Sequence, residues 1–261
     1  MTCETVPQEG PVLLGRAQIE NEDMDVEKNE AKEIAIQKGG CARLPVVAWF
    51  QMLYRAFGLF VPLALLSYGI QQSFGKTYQI FACKYYMMND LELDGVTMGR
   101  LMAAAKVPWN IKPLLGMLSD TFPLGGYHRT SYLVLACSLS ILLHSWIGLS
   151  AVSSLGLVAF MTCVNFTMAF SDVLVDATSA ILAKDHPSEA CDLQVALRIS
   201  EAVGGIMAGA VKGSVVAHFG ARNAILSNGL SALTVLFPAL RGWLPEERLK
   251  EKLGAVEPGN C

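Results

Sequence analysis

The sequence predicts an all-α membrane protein of six transmembrane helices, and three features carry that expectation. Its 261 residues are 52% hydrophobic and only 16% charged, with a mean hydropathy of +0.40, whereas soluble domains are roughly 25% charged. From Leu44 onward, long apolar runs alternate with short polar joints, and a run of about 20 residues is what a bilayer core of roughly 30 Å demands of a helix. After Trp243 the chain turns polar again, which leaves the number of runs even.

The first 43 residues hold nine acids against five bases and lack a basic start followed by an apolar stretch. They read as a polar, disordered tail, not as a secretory signal or an acid-poor transit peptide. The membrane bundle is expected over 44–243. Residues 44–51, with Trp49 and Phe50, suit the membrane interface. The six runs then fall at about 52–74, 96–118, 131–150, 154–178, 194–218 and 222–242, and residues 244–261 form a charged C-terminal segment.

The joints differ in charge. Lys76, Lys84 and Arg222 fall on one side, while the tail, Arg129, Lys184, Arg241, Arg248, Lys250 and Lys252 put eleven bases on the other. By the positive-inside rule both termini are cytoplasmic. A net charge of -3 offers no basic footprint for nucleic acid. The seven cysteines are scattered singly, with no C-x-x-C and no Cys/His cluster, so neither a zinc site nor a disulfide framework is expected. No G-x-S-x-G elbow, Walker loop or H-E-x-x-H is present, so neither catalysis, a cofactor nor ATP-driven transport has a motif behind it.

Charged residues inside apolar runs are costly and tend to face a cavity or a partner. In the fourth run Asn165, Asp172 and Asp176 are spaced i, i+7 and i+11, which at about 100° per residue puts them within about 40° of one another on one face. Two carboxylates a turn apart repel, so one is protonated or both share a cation, unless Asp176 only caps or pairs with a loop. In the fifth run Gln194, Arg198, Glu201 and Lys212 share a face. Arg198 has three candidate partners: Glu201 on its own helix, the aspartates of the fourth run, or an anionic solute gripped bidentately. Gly205, Gly209 and Gly213 form a doubled G-x-x-x-G, a stripe along which another helix can approach closely. In the second run Lys106, Trp109 and Asn110 lie on one side, and Pro108 and Pro113 each interrupt the hydrogen-bond ladder. Lys112 either enters the cavity or snorkels to the boundary. His144 reads as a satisfied interior or interfacial histidine.

The stretch GMLSDTFPLGGYHRTSYL, with Gly116, Asp120, Gly126 and Arg129, resembles the loop between the second and third helices of major facilitator transporters. Read together with YYMMNDLEL (85–93), VPWNIKPLLGMLSD (107–120), SDVLVDA (171–177) and LQVALR (193–198) followed by Gly204 and Gly205, it is similar to the folate-biopterin transporter family of that superfamily. Gln71 falls where that family carries a glutamine.

The resemblance implies the N-terminal half of a twelve-helix bundle that moves folate, biopterin or related pteridines by alternating access, proton- or ion-coupled. It implies a solute site with Arg198, Asp172, Asp176, Lys112, Trp109, Gln71 and Gln194, and a gating loop with Gly116, Asp120, Gly126 and Arg129. Family members carry twelve spans, so a six-span chain is expected to be truncated, or to pair with itself or with a second half. The alternative is a membrane subunit or remnant that transports nothing and assembles with another membrane protein.

Overall fold

The computed structural model describes residues 46–122, 124–150 and 152–246. The tail expected over 1–43 and the bases beyond Glu246 lie outside them. The chain divides into two compact units, Met1–Met52 and Leu53–Cys261. In the first, the rings of Trp49 and Phe50 meet edge-on at 5.1 Å.

All the regular structure among the described residues is helical. The elements are α1 (Val46–Phe57), α2 (Phe60–Leu66), a π-helical segment (Ser67–Gly75), α3 (Lys76–Asn89), α4 (Gly95–Ala104), a 3-10 turn (Val107–Ile111), α5 (Lys112–Thr121), α6 (Thr130–Leu149), α7 (Ser154–Asp185) and α8 (Ala190–Leu240). Three of these, α6, α7 and α8, are each long and apolar enough to cross a bilayer; α1 and Phe60–Asn89 pass only when taken together. Many large apolar side chains point outward, among them Leu142, Leu149, Leu155 and Ile206, as lipid-facing residues do where apolar surface has no water to avoid.

The first apolar run corrects the expected boundaries. Expected to end at about 74, it continues helically through α2, the π segment and α3 to Asn89. The joint shrinks to 90–94, and Lys76 and Lys84 sit on the helix. That joint is closed by Asp94, whose carboxylate accepts from the N–H groups of Val96 and Thr97 at 3.1 Å each and so caps α4. Hydrogen bonds from Thr97, side chain and then backbone, hold the Asp94 carboxyl below its ordinary range.

The second run is broken where its prolines stand: the 3-10 turn at Val107–Ile111 carries Pro108, and Pro113 opens α5. Each proline removes a ladder hydrogen bond, and the freed groups find new partners. Asn165 on α7 donates to the carbonyl of Ala105 at 2.9 Å. Inside α8, Gly220 takes φ 80° and ψ 161°, so the 51 residues are two helices meeting at that glycine, at the joint expected over 219–221. A side chain there would be strained.

Among the described residues, packing concentrates in apolar clusters such as these two. Tyr78, Tyr86 and Met87 of α3 meet Phe160 and Val164 of α7 and Ile225 of α8; Leu115, Leu133, Phe170, Leu174 and Val235 form the second. The tightest helix contact is backbone on backbone: a Cβ at Gly204 of α8 would fall on the carbonyl oxygen of Gly69 in the π segment. Ser200 donates its hydroxyl to the carbonyl of Leu65 at 2.8 Å, and Ser73 donates to the carbonyl of Glu201 at 2.5 Å. The expected glycine stripe is not the surface used in this contact. A Cβ at Gly205 would meet only the Ser73 hydroxyl, at 3.2 Å, and nothing lies within 4 Å of one at Gly209 or Gly213. Packing among the described helices uses Gly204 because the Gly69 backbone turns toward that side.

Candidate functional site

A cavity of about 380 Å³ opens between the π segment with the start of α3, the 3-10 turn with the start of α5, α7 and α8. Its wall along the first run carries Tyr68, Gln72, Ser73, Lys76 and Thr77. That spacing follows from the winding. A π-helix bonds i to i+5 and takes close to one more residue per turn than an α-helix, so successive inward positions fall at 68, 72–73 and 76–77. Opposite stand Trp109 and Lys112, Asp172 and Asp176, and Arg198 and Glu201.

The charges are sorted into pairs. Lys112 is ion-paired with Asp172, whose side chain is buried. Arg198 donates to Glu201 at 2.6 Å on its own helix, and its guanidinium lies 5.3 Å from the centre of the Tyr68 ring. The Tyr68 hydroxyl donates to Asp176. Thus the two aspartates, expected either to share a cation or to have one member protonated, have separate partners. Their side chains, four residues apart on α7, reach opposite neighbours: Asp172 the α5 lysine, Asp176 the π-segment tyrosine. The intramolecular choice among the candidate partners of Arg198 falls to Glu201, and Lys112 turns inward instead of snorkelling.

Trp109 is fixed from its edge and covered on its face. Its Nε1–H donates to Asn165 Oδ1 at 2.9 Å, while Asn165 Nδ2 donates back to the carbonyls of Ala105 and Met161. The ammonium groups of Lys76 and Lys112 lie 4.0 Å and 4.9 Å from its ring centre, within cation–π range.

Two residues expected at the cavity do not line it. Gln71 is buried, and its amide donates to Cys137 Sγ at 3.7 Å, because π winding turns the next residue inward. Gln194 lies a full turn before Arg198 on α8 and is exposed. The residues of this wall missing from the expected site are Tyr68, Gln72 and Ser73 of the π segment and Lys76 and Thr77 at the start of α3. His144 lies elsewhere and is internally satisfied. A carbonyl can only accept, so its Nδ1–H donates to Ser140 at 2.7 Å, which leaves Nε2 to accept from Asn228 at 3.2 Å.

At one end of the bundle, a second cavity of about 760 Å³ is lined by Asp120, His128, Arg129, Thr178, Asp185 and Glu246, among others. Here two of the four expected loop residues, Asp120 and Arg129, come together. Arg129 pairs with Asp120 at 3.0 Å. Gly126 takes φ 87°, a left-handed turn position open to glycine, and a Cβ at Gly116 would stand 3.2 Å from Val173 on α7. Glu246, unmarked by any motif, accepts from the backbone N–H groups of His128, Arg129 and Thr130 and from the Thr130 hydroxyl. It caps α6 from 116 residues away.

Among the described residues, no group of three or more His, Cys, Asp or Glu side chains is placed to hold a metal. The cavity instead combines acid, base and aromatic groups suited to a polar, partly ionic organic solute.

Comparison with known proteins agrees with this chemistry. A sequence model described as the BT1 family matches residues 72–258. The chain is 33% identical over 178 residues to a protein of Arabidopsis thaliana named probable folate-biopterin transporter 2, covering 67% of the chain and 36% of that relative. It is 34% identical over 201 residues to probable folate-biopterin transporter 4 of the same plant, 75% of the chain and 39% of the relative. To the folate-biopterin transporter of Synechocystis it is 32% identical over 184 residues, 68% of the chain and 35% of the relative. It therefore spans less than half the length of the curated relatives it matches. The family match takes in the π-wound wall from Gln72, the proline-broken second run, the aspartates of α7 and Arg198, and on that breadth the chain belongs to the BT1 family.

Proposed function

We propose that this chain is one six-helix half of a secondary transporter that moves folate- or biopterin-type pteridines across a membrane by alternating access, coupled to a proton or another ion. One observation carries the reading: three bases and three acids converge on a cavity in an otherwise apolar bundle, in a chain whose relatives are named folate-biopterin transporters. Charge at membrane depth marks solute and ion paths. The six spans are 60–89, 95–121, 130–149, 154–185 and the two arms of α8 about Gly220. Contact of Glu246 with the start of α6 supports putting the joint after α5 and the end of α8 on one side; by the base count that side is cytoplasmic, with both termini. Asp120, Arg129 and Glu246 form the latch of that face. Trp109 offers a face to a pterin ring once a covering lysine ammonium moves aside, and Asp176 accepts from its amino edge. The protein acts by binding and moving its solute, without catalysis.

Uptake of labelled folate by proteoliposomes holding the full chain tests this. Arg198→Ala and Asp172→Asn are each expected to lower uptake; unchanged uptake in both would remove the site. Assembly has its own observation. Gly209 and Gly213 lie open on α8 beside exposed Val203, Ile206 and Met207, which supports pairing with a second copy or with another six-helix half, either as a working transporter or as a non-transporting subunit. A Gly209→Cys variant should crosslink in membranes; a species that stays monomeric would rule this out.

A further inference from the structure

The central cavity holds equal numbers of bases and acids, but its charges are not all matched. Lys112 is held by Asp172, and Arg198 by Glu201. Lys76 remains: its ammonium lies against the Trp109 ring at 4.0 Å and, among the described residues, makes no ion pair. One turn before it, Gln72 stands on the same wall, nine-tenths buried, with an amide nitrogen that has no hydrogen-bond partner. On the other side Asp176 accepts from the tyrosine hydroxyl and, among the described residues, makes no ion pair. The cavity thus holds one lysine and one carboxylate that are not ion-paired, at separate points of its wall.

We infer that Lys76, with Gln72 beside it, is the seat of a solute carboxylate, and that the chain prefers pteridines bearing a carboxylate over those without one. The proposal rests on the central cavity being the solute site. An ammonium taken partly out of water needs an anion or several acceptors to replace its hydration, and one indole face replaces little of it. An incoming carboxylate reaches Lys76 without breaking an existing pair, whereas at Arg198 or Lys112 it must displace Glu201 or Asp172. A solute with a carboxylate at one end and amino donors at the other matches both unmatched points, Lys76 and Asp176. The lysine opens α3 directly after the π segment, which carries the wall on from Tyr68 and Gln72.

The test uses the purified full chain in detergent micelles with three probes: folic acid, p-aminobenzoylglutamate, which has the carboxylates without the pterin, and biopterin, which has the pterin without a carboxylate. Two readouts are taken, equilibrium binding and acetylation of Lys76 by an amine-reactive ester, with exposed Lys106 as reference. Folic acid and p-aminobenzoylglutamate should shield Lys76 and not Lys106, and biopterin should shield neither. Lys76→Met should weaken folic acid binding by about tenfold or more, the scale of one charge-assisted hydrogen bond, change biopterin binding by clearly less than that, and be rescued in part by Lys76→Arg. If folic acid binds while Lys76 stays fully reactive and Lys76→Met binds it as the parent does, the seat is overturned and the cavity reading stands. If neither folic acid nor biopterin binds, the cavity reading falls and the seat with it. A poorly folded Lys76→Met variant leaves the shielding of the parent protein to decide.

Discussion

Removing the carboxylate of Glu246 should loosen the start of α6 without unfolding the bundle. In Glu246→Ala, the N–H groups of His128, Arg129 and Thr130 and the Thr130 hydroxyl all lose their acceptor. Two of these backbone donors, those of Arg129 and Thr130, belong to the helix start, where no intrahelical carbonyl is available. Losing a capping side chain typically costs about 1 to 2 kcal/mol, and a negative charge at a helix N-terminus adds roughly 0.3 to 1 kcal/mol. Glu246 is only half-buried, so water recovers part of the loss, and about 2 kcal/mol is the expected total. At 1.4 kcal/mol per factor of ten, that is roughly a 30-fold rise in local opening. Hydrogen exchange followed by mass spectrometry reads it directly: peptides covering 127–133 should exchange about 30-fold faster, and those within Ser154–Asp185 should not change. Glu246→Gln keeps an acceptor oxygen without the charge and should fall between. Equal exchange in all three proteins would refute the cap, and a uniform rise across α6 and α7 would show a global role instead.

Other outcomes follow from the same geometry. Lys112→Met strands the buried Asp172 carboxylate and should cost on the order of 3 to 5 kcal/mol of stability, most of it recovered when Asp172→Asn is added; a double variant no more stable than the single one would deny the pairing. Gly204→Ala drives a methyl into the Gly69 carbonyl and should cost about 1 to 3 kcal/mol, while Gly209→Ala, with open space around it, should leave the thermal midpoint in detergent unchanged; equal effects would misplace the contact. The Asp94 carboxyl titrates below its ordinary range, so its capping contribution is fully present above the unfolded value and is lost as pH falls through the folded one, near and below about pH 4. Faster amide exchange at Val96 and Thr97 in that window, abolished by Asp94→Asn, is the check.

Much of this was legible from one-dimensional pattern. Pro108 and Pro113 announce a broken second run, Gly220 falls in the expected joint, and Arg198 with Glu201 meets at the i, i+3 spacing that any α-helix provides. Asp120 and Arg129 are near enough in sequence for a loop to join them. The misses along the first run have a common physical root. Helical reading assumes 3.6 residues per turn, and in Ser67–Gly75 the winding is wider. At about 100° per residue an α-helix would put Lys76 about 80° from Tyr68; the π segment brings both to one wall and turns Gln71 to Cys137. Glu246 was illegible for another reason. Its partners lie 116 to 118 residues upstream, and a lone glutamate after an apolar run carries no local sign of that contact.

The junction of Gly69 with Gly204 also has a mechanical meaning. No side chain lies between the two backbones, so one helix can turn on the other there without any rotamer having to change, as on a bare bearing surface. What holds the bearing in register is reciprocal: Ser200 reaches from α8 to a carbonyl of α2, and Ser73 reaches back from the π segment to a carbonyl of α8. Each helix thus keys the other through one hydroxyl, and a slip along the axis breaks both bonds together, while a small rotation about the contact need break neither.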